Sequence, residues 1–449
     1  PVFLRLNRPC RIHDGILSIP PARRNELVAF YENHAGKSRL MKFVPASGAA
    51  SRMFAEWFSL LDSEALNKPE CGRSFMKKLK KYPFYFLIEQ DKKASKFIRQ
   101  NNIRDLLAYI LSAGGLKYGW LPKALIPFHF YKEDDIRTAM EEHLYEAADY
   151  VRGAGNICRL HFTVSREHQN EIVEKIRIVK SECQKHHPVR FSITYSFQSA
   201  ATNVLAVDEK GLPLRDDTGA LVFRPGGHGT LLGNLNKLNA DLIFIRNIDN
   251  IAPQTRWKKM VPFHKMMGGL AMQIQEEIFA NIRRLKAKRI SAANIEKARL
   301  FCSGTLNIRL TENFNRQSRN DKITALFSVL NRPLRVCGVV RNNNEPGGGP
   351  FWVEEDDGTL TMQIVESAHV DQRKNDQLKI WSKAQYFNPV DMVCCIKDYR
   401  GKPFNLNHFV NRNSYIISSK KEKGRAIRAL EMPGLWNGSM AYWNTVFVK

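Results

Sequence analysis

From residue 41 to about residue 344, short apolar runs alternate with longer stretches in which apolar residues recur every three or four positions. Short runs bounded by turn residues read as strands and the periodic stretches as amphipathic helices. The pattern predicts strands over 41–46, 158–164, 190–197, 242–248 and 334–340. It predicts helices over 53–61, 103–113, 133–152, 167–179 and 265–285. Such alternation argues an α/β fold, a mostly parallel sheet with helices on both faces. In 190–197 the apolar residues Phe191, Ile193, Tyr195 and Phe197 alternate with polar ones, which suits a sheet edge, whereas the continuous run beginning at Leu242 suits the centre.

Residues 1–40 read as an N-terminal extension, with Pro20-Pro21 ending an extended piece and 22–34 helical. After Arg341 the composition shifts: Gly and Pro become frequent, short strand-like pieces replace helices, and tryptophans stand at 352, 381, 436 and 443. The expected organisation is therefore an extension (1–40), an α/β core (41–344) and a smaller, strand-rich α+β lobe (345–449). No internal repeat or low-complexity tract interrupts it.

Composition changes this picture in one respect. The 449 residues carry a formal net charge of +25, which favours an anionic partner. Nucleoside triphosphates, sugar phosphates and nucleic acid all qualify, and so does a basic surface that serves solubility alone. The basic residues are spread along the chain, with small runs at 77–81, 283–289 and 420–423, so no single arm or helix marks a nucleic-acid footprint. No apolar run is long enough to span a membrane and no signal peptide opens the sequence, so a cytoplasmic protein is expected. The eight cysteines show neither C-x-x-C pairs nor zinc spacing and read as buried, reduced thiols; Cys394 and Cys395 point to opposite faces of one strand.

The most informative segment is Phe43-Val44-Pro45-Ala46-Ser47-Gly48-Ala49-Ala50-Ser51-Arg52, an apolar strand running into a loop of small residues before a helix. Main-chain N–H groups at such a turn attract anions, and small side chains let a phosphate approach. An ordinary strand-to-helix connection has the same appearance. No G-x-x-x-x-G-K-[ST] motif is present, which disfavours P-loop kinase chemistry. Three further segments carry groups that nucleotide chemistry uses. Pro122-Lys123 sets one cation at the mouth of an apolar run, where a snorkelling surface lysine is the alternative. Arg224-Pro225-Gly226-Gly227-His228-Gly229 is a glycine-rich turn whose main chain can lie against a flat ring, with the amide of Gln198 able to pair with a base edge and His228 either a contact or a plain turn residue. Asp249-Asn250 ends the run 242–248, at the carboxyl edge where open α/β sheets bind ligands. Asp249 could hold Mg²⁺, which needs only one or two protein carboxylates, or simply cap the next segment.

In order and spacing these segments resemble the UDP-sugar branch of the nucleotide-sugar pyrophosphorylases. Together with Pro346-Gly347-Gly348-Gly349-Pro350-Phe351 and Pro433-Gly434-Leu435-Trp436-Asn437-Gly438, the loop resembles more narrowly DUF4301, a bacterial family of unassigned function. The resemblance implies a Rossmann-like, GT-A or nucleotide-diphospho-sugar transferase-like sheet. It implies a Mg²⁺-dependent nucleotidyltransferase that joins a sugar 1-phosphate to a nucleoside triphosphate and releases pyrophosphate. Ala46, Ser47, Gly48, Ala49 and Ser51, with Gln198, Gly226, Gly227, His228 and Gly229, would bind the nucleotide. Arg52, Lys123 and Lys420 would act on the phosphates, Asp249 would hold the metal, and Asn250, Glu366 and Asn388 would meet the sugar phosphate. The sequence departs from the pyrophosphorylase loop, which has Gly at the positions of Ser47 and Ala50 and Thr at that of Ser51. Added methyl groups there shift or weaken the expected phosphate pose, so a non-catalytic nucleotide-sugar binding protein is the second reading. A nucleic-acid-associated basic protein, supported by charge alone, is the third.

Overall fold

The computed structural model describes residues 3–343, 347–422 and 425–449, with the backbone alone described at 52, 67, 312, 419–422 and 425–426. A ten-stranded sheet organises the chain. Its strands, in sequence order, are β1 (Arg11–Ile12), β2 (Gly15–Leu17), β3 (Leu40–Pro45), β4 (Arg152–Gly153), β5 (Ile157–Val164), β6 (Arg190–Phe197), β7 (Leu242–Arg246), β8 (Leu334–Gly338), β9 (Asp391–Cys395) and β10 (Asn444–Val448). Across the sheet the order is β1-β2-β10-β8-β9-β7-β3-β5, with β6 and the short β4 both paired to β5. Only β9 and β4 run against the rest, so the sheet is mostly parallel, as the alternation predicts. The apolar run of β7 lies centrally between β3 and β9, and the alternating β6 lies at the edge. Strands come from all three sequence segments: β1 and β2 precede residue 40, and β9 and β10 follow residue 345.

Side chains of one parity, among them Leu40, Val44, Leu160, Phe162, Phe244, Val336 and Val393, bury against the long helices. These are α1 (Pro21–Ala35), α2 (Ala139–Tyr150), α3 (Gln169–His186), α4 (Trp257–Leu285), α5 (Ala292–Gly304) and α6 (Arg319–Leu330). The opposite parity, including Met41, Phe43, Ile243, Ile245, Met392 and Phe447, is covered by the segment around Leu231–Ala240 and by Trp352, Leu406, Trp436 and Trp443. The long helices thus lie on one face only, where helices on both faces are expected; the segment around Leu231–Ala240 and late strands and loops, rich in tryptophan, cover the other.

Between the small-residue loop and Pro122 the chain leaves the sheet and builds a helical insertion. Helices Ala55–Leu61, Pro69–Leu79, Tyr85–Gln90, Lys92–Arg99 and Ile103–Leu111 enclose a core of Phe54, Trp57, Phe75, Phe84, Leu107 and Tyr118. Where one helix over 133–152 is expected, a hairpin (Pro127–Lys132 with Asp135–Thr138) comes first and α2 begins only at Ala139. A capping box fixes that start: Thr138 Oγ1 accepts from Glu141 N, and the Glu141 carboxylate accepts from Thr138 N. Helix α4 starts at Trp257, earlier than expected, with Pro262 tolerated in its second turn. All eight cysteines are free and seven are buried.

Candidate functional site

The carboxyl ends of β7, β3, β5 and β6 lie side by side, and each delivers polar groups to the same edge. Adjacent strands are about 4.8 Å apart, so the four ends span about 14 Å. From β3 the chain continues through Ala46, whose N–H still bonds Thr163 O of β5 at 2.9 Å. Ser47 is half-buried, while Gly48 and Ala49 are exposed. A Cβ on Gly48 would meet nothing within 4 Å, so this part of the loop opens to solvent. Ala50, the departure expected to crowd a phosphate, is fully buried and packs its methyl into the core of the insertion, away from the open side of the loop. Ser51 is exposed, and Ala50–Arg52 form one 3₁₀ turn; the Arg52 side chain lies outside the described residues.

Lys123 ties this loop to Asp249. Its N–H bonds Gly48 O at 3.0 Å, beside an Ala50 N to Leu121 O bond of 3.0 Å, so the segment before Lys123 runs along the loop as a bridge partner. Its Nζ lies 2.5 Å from Asp249 Oδ2, and the two side chains are 22% and 40% exposed. Asp249 therefore sits one strand away from the loop and shares a cation with it. Asn250, read as a sugar contact, donates its amide to Pro389 O at 2.7 Å and so fastens the turn after β7 to the strand entry at β9.

On the neighbouring ends, Thr163 Oγ1, Ser165 Oγ and Gln198 Nε2 are buried and have no hydrogen-bond partner among the described residues. Thr163 pairs in register with Ser196, and Ser165 and Gln198 each follow the next in-register pair, Val164 with Phe197. The three therefore lie together at the edge beside the loop. Buried polar groups are normally paired, and these three are neighbouring exceptions. Just behind them, His161 is held between Thr194 Oγ1 and Ser196 Oγ, both at 2.8 Å, and burial lowers its pKa to about 4.

The glycine-rich turn reaches this edge through Asn234, whose amide donates to Ser196 Oγ and Phe197 O at 2.7 and 2.9 Å. A Cβ on Gly226 would press on Thr202 O, on Gly227 (φ +79°) on the Glu431 side chain, and on Gly229 on Pro433 O. The close main-chain approach these glycines permit is thus made to the chain's own residues. His228 stacks on Trp436 at 4.1 Å between ring centroids, and its Nδ1 accepts from Leu435 N at 3.0 Å. Trp436 Nε1 in turn donates to Glu366 Oε1 at 3.1 Å, and burial raises the Glu366 pKa. Glu366 therefore lies beside the glycine turn. Asn388 is 2% exposed, and its amide serves the chain itself: Nδ2 donates to Gly338 O at 2.6 Å and Oδ1 accepts from Val390 N at 2.9 Å. Lys420 pairs with Ile427 in the hairpin Ile416–Glu422/Arg425–Glu431, and its side chain lies outside the described residues.

Sequence reasoning misses what stands beneath Asp249. Lys42 on β3, Arg246 on β7 and Asp391 on β9 meet Glu146 and His143 of α2 and His264 of α4, all buried. Glu146 accepts from Lys42 Nζ at 2.6 Å and pairs with Arg246, while His264 Nε2 lies 2.9 Å from Asp391 Oδ2. These cations hold the Glu146 carboxyl far below its usual range despite burial. The available signal was Lys42 and Arg246 standing inside otherwise apolar strands. Two cavities of about 560 and 610 Å³ lie elsewhere, along α5 and its loop to α6, the first also lined by His13 and Asp14 beside β2.

No curated protein sequence matches the chain. Among solved structures, a proposed UDP-N-acetylglucosamine pyrophosphorylase from Entamoeba histolytica is 12% identical, with a TM-score of 0.45 over 98% of this chain and 80% of that one. A UDP-glucose phosphorylase from Trypanosoma brucei is 12% identical (TM-score 0.38, 73% of this chain, 57% of that one). A UDP-glucose pyrophosphorylase variant from Leishmania major, in complex with UDP-glucose, is 10% identical (TM-score 0.40, 100% and 66%). A family model described as a domain of unknown function, DUF4301, matches residues 1–449, and the chain belongs to that family.

Proposed function

We propose that the protein is a nucleotidyltransferase that joins a sugar 1-phosphate, or a similar phosphorylated small molecule, to a nucleoside triphosphate with release of pyrophosphate. The observation that carries this reading is Lys123, bonded through its main chain to the open loop at Gly48 and through its ammonium to Asp249. An anion cradle, a cation and a carboxylate thereby share one edge, next to three polar groups that have no partner among the described residues and suit a base or ribose.

In this reaction a sugar-phosphate oxygen attacks the α-phosphorus. The new P–O bond forms as the α,β-bridging P–O bond breaks, and the electron pair leaves with pyrophosphate. Positioning and charge stabilisation supply most of the rate. The N–H groups of residues 47–49 hold phosphate oxygens and Lys123 neutralises charge on them. Asp249 would hold Mg²⁺, an ion that needs only one or two protein carboxylates; among the described residues no group of three acidic, His or Cys side chains offers an all-protein cage. When bound, the ion would neutralise phosphate charge. Gln198, Thr163 and Ser165 bind the nucleoside, and Glu366 the sugar.

The test is pyrophosphate exchange with Mg²⁺, run across the common nucleoside triphosphates and sugar 1-phosphates after a melting-shift screen. Exchange with one pair supports the reading; nucleotide binding without exchange under any pairing replaces it with a non-catalytic binder.

A further inference from the structure

We infer that His143 is a positioning residue for the phosphate site, its ring N–H reaching from the helix layer to the two carbonyls that set the path of the chain into Asp249. This rests on the function proposed above. The His143 ring is fully buried on α2, and its Nε2 lies 3.2 Å from Asn247 O and 3.1 Å from Ile248 O. Both carbonyls lie beyond Arg246, the last residue of β7 in register with β9, so the sheet no longer fixes the chain there. Asn250 N also bonds Asn247 O, closing the turn from which Asp249 projects. A donor from the helix layer thus joins the Asn250–Pro389 bond in aiming this turn.

The helix that carries the ring is itself held in place. Lys42 Nζ of β3 donates to His143 O at 3.2 Å and to Glu146 one turn along α2, and Glu146 also pairs with Arg246 of β7. Helix α2 is thereby registered against the same two strands whose ends form the phosphate site. His143 Nδ1 has no partner among the described residues, so the ring acts as a neutral Nε2–H donor. Burial, with Lys42 and Arg246 nearby, opposes a second proton, Glu146 favours it, and the balance lies well below the ordinary histidine range. Two donors at once would require the imidazolium; one suffices for the two adjacent carbonyls.

Two substitutions separate positioning from mere core filling. His143→Phe keeps a ring of similar size and removes the donor; His143→Gln places an amide N–H at the reach of Nε2. In pyrophosphate exchange with the wild-type chain as reference, His143→Phe lowers kcat about 10- to 100-fold, and His143→Gln restores most of that loss. Affinity for the Mg²⁺-nucleotide, measured by calorimetry, falls in His143→Phe but falls no further when His143→Phe is added to Asp249→Asn, because both act through one carboxylate. A His143→Phe protein that melts lower yet keeps wild-type kcat, or affinity losses that add in the double variant, overturns the inference. A wild-type protein that neither exchanges pyrophosphate nor binds nucleotide overturns the proposed function and this role with it.

Discussion

Lys123 Nζ and Asp249 Oδ2 stand 2.5 Å apart although 126 positions separate them in the chain. Each is partly exposed, so the pair is a modest contributor to stability, about 0–1 kcal/mol. Its placement between an open anion loop and a strand end gives it a different value in function. Asp249→Asn and Lys123→Ala are each expected to lower pyrophosphate exchange by about 100-fold or more, the loss typical of removing one preorganised charge-stabilising group. Melting temperature should change by no more than about 4 °C. Scanning calorimetry beside the exchange assay checks both; wild-type exchange in either variant removes that residue from the site.

Two glycines should respond in opposite ways. A methyl at Gly229 collides with Pro433 O, whereas one at Gly48 meets nothing within 4 Å. Gly229→Ala is expected to destabilise by about 1–3 kcal/mol, as overpacking does. Gly48→Ala should leave the urea midpoint unchanged while weakening nucleotide affinity about tenfold, if phosphate lies against the loop. Equal affinity for wild type and Gly48→Ala would place the nucleotide elsewhere.

The sequence announces the sheet far better than what lies beneath the site. Strands β3, β5, β6, β7 and β8 are legible because each is an apolar or alternating run with clear ends. Strand β9 is apolar too, but nothing local says that a strand from the last hundred residues runs antiparallel between β7 and β8. That pairing depends on partners distant in sequence. Of the five insertion helices, the sequence reading finds only the first and the last. Lys42 shows the same limit: inside Met41-Lys42-Phe43-Val44 it looks like an interruption, and only the fold supplies Glu146. At the site, Asp249, Lys123 and Gly48 are brought together as read, whereas Asn388 turns out to be consumed by the main chain.

Three buried histidines make the fold sensitive to mild acid. Burial lowers the pKa of His161 and His369 to about 4, and that of His143 well below its ordinary value. In the unfolded chain they titrate near 6.5, so between about pH 6.5 and 4 the unfolded state binds more protons and stability falls as pH falls. At pH 5 the loss is about 2 kcal/mol for each of His161 and His369. The Glu146 carboxyl, held low, stays charged throughout this window. Asp149, Glu355 and Glu366, raised by burial, act in the opposite sense. Urea midpoints at pH 7 and pH 5 should therefore differ less in His161→Gln than in wild type; an unchanged difference shows that His161 gains its proton without unfolding.

Glu146 is the group whose loss the core should tolerate least. It is fully buried and accepts from Lys42 and Arg246, two buried cations on adjacent strands; of these two cations Asp391, which also meets His264, approaches only Arg246, at 3.9 Å from Nε. Removing one member of a buried ionic cluster leaves uncompensated charge and costs about 3–5 kcal/mol, whereas replacing partners together with apolar residues of similar volume is often close to neutral. Glu146→Leu is thus expected to unfold at markedly lower urea. Adding Lys42→Met should recover part of that loss, since the exposed imbalance shrinks by one cation. The sign of the coupling between the two substitutions, read from equilibrium urea unfolding of wild type, both singles and the double, decides the matter. Strictly additive losses would mean that Lys42 and Glu146 are stabilised independently and that the 2.6 Å contact does not join β3 to α2.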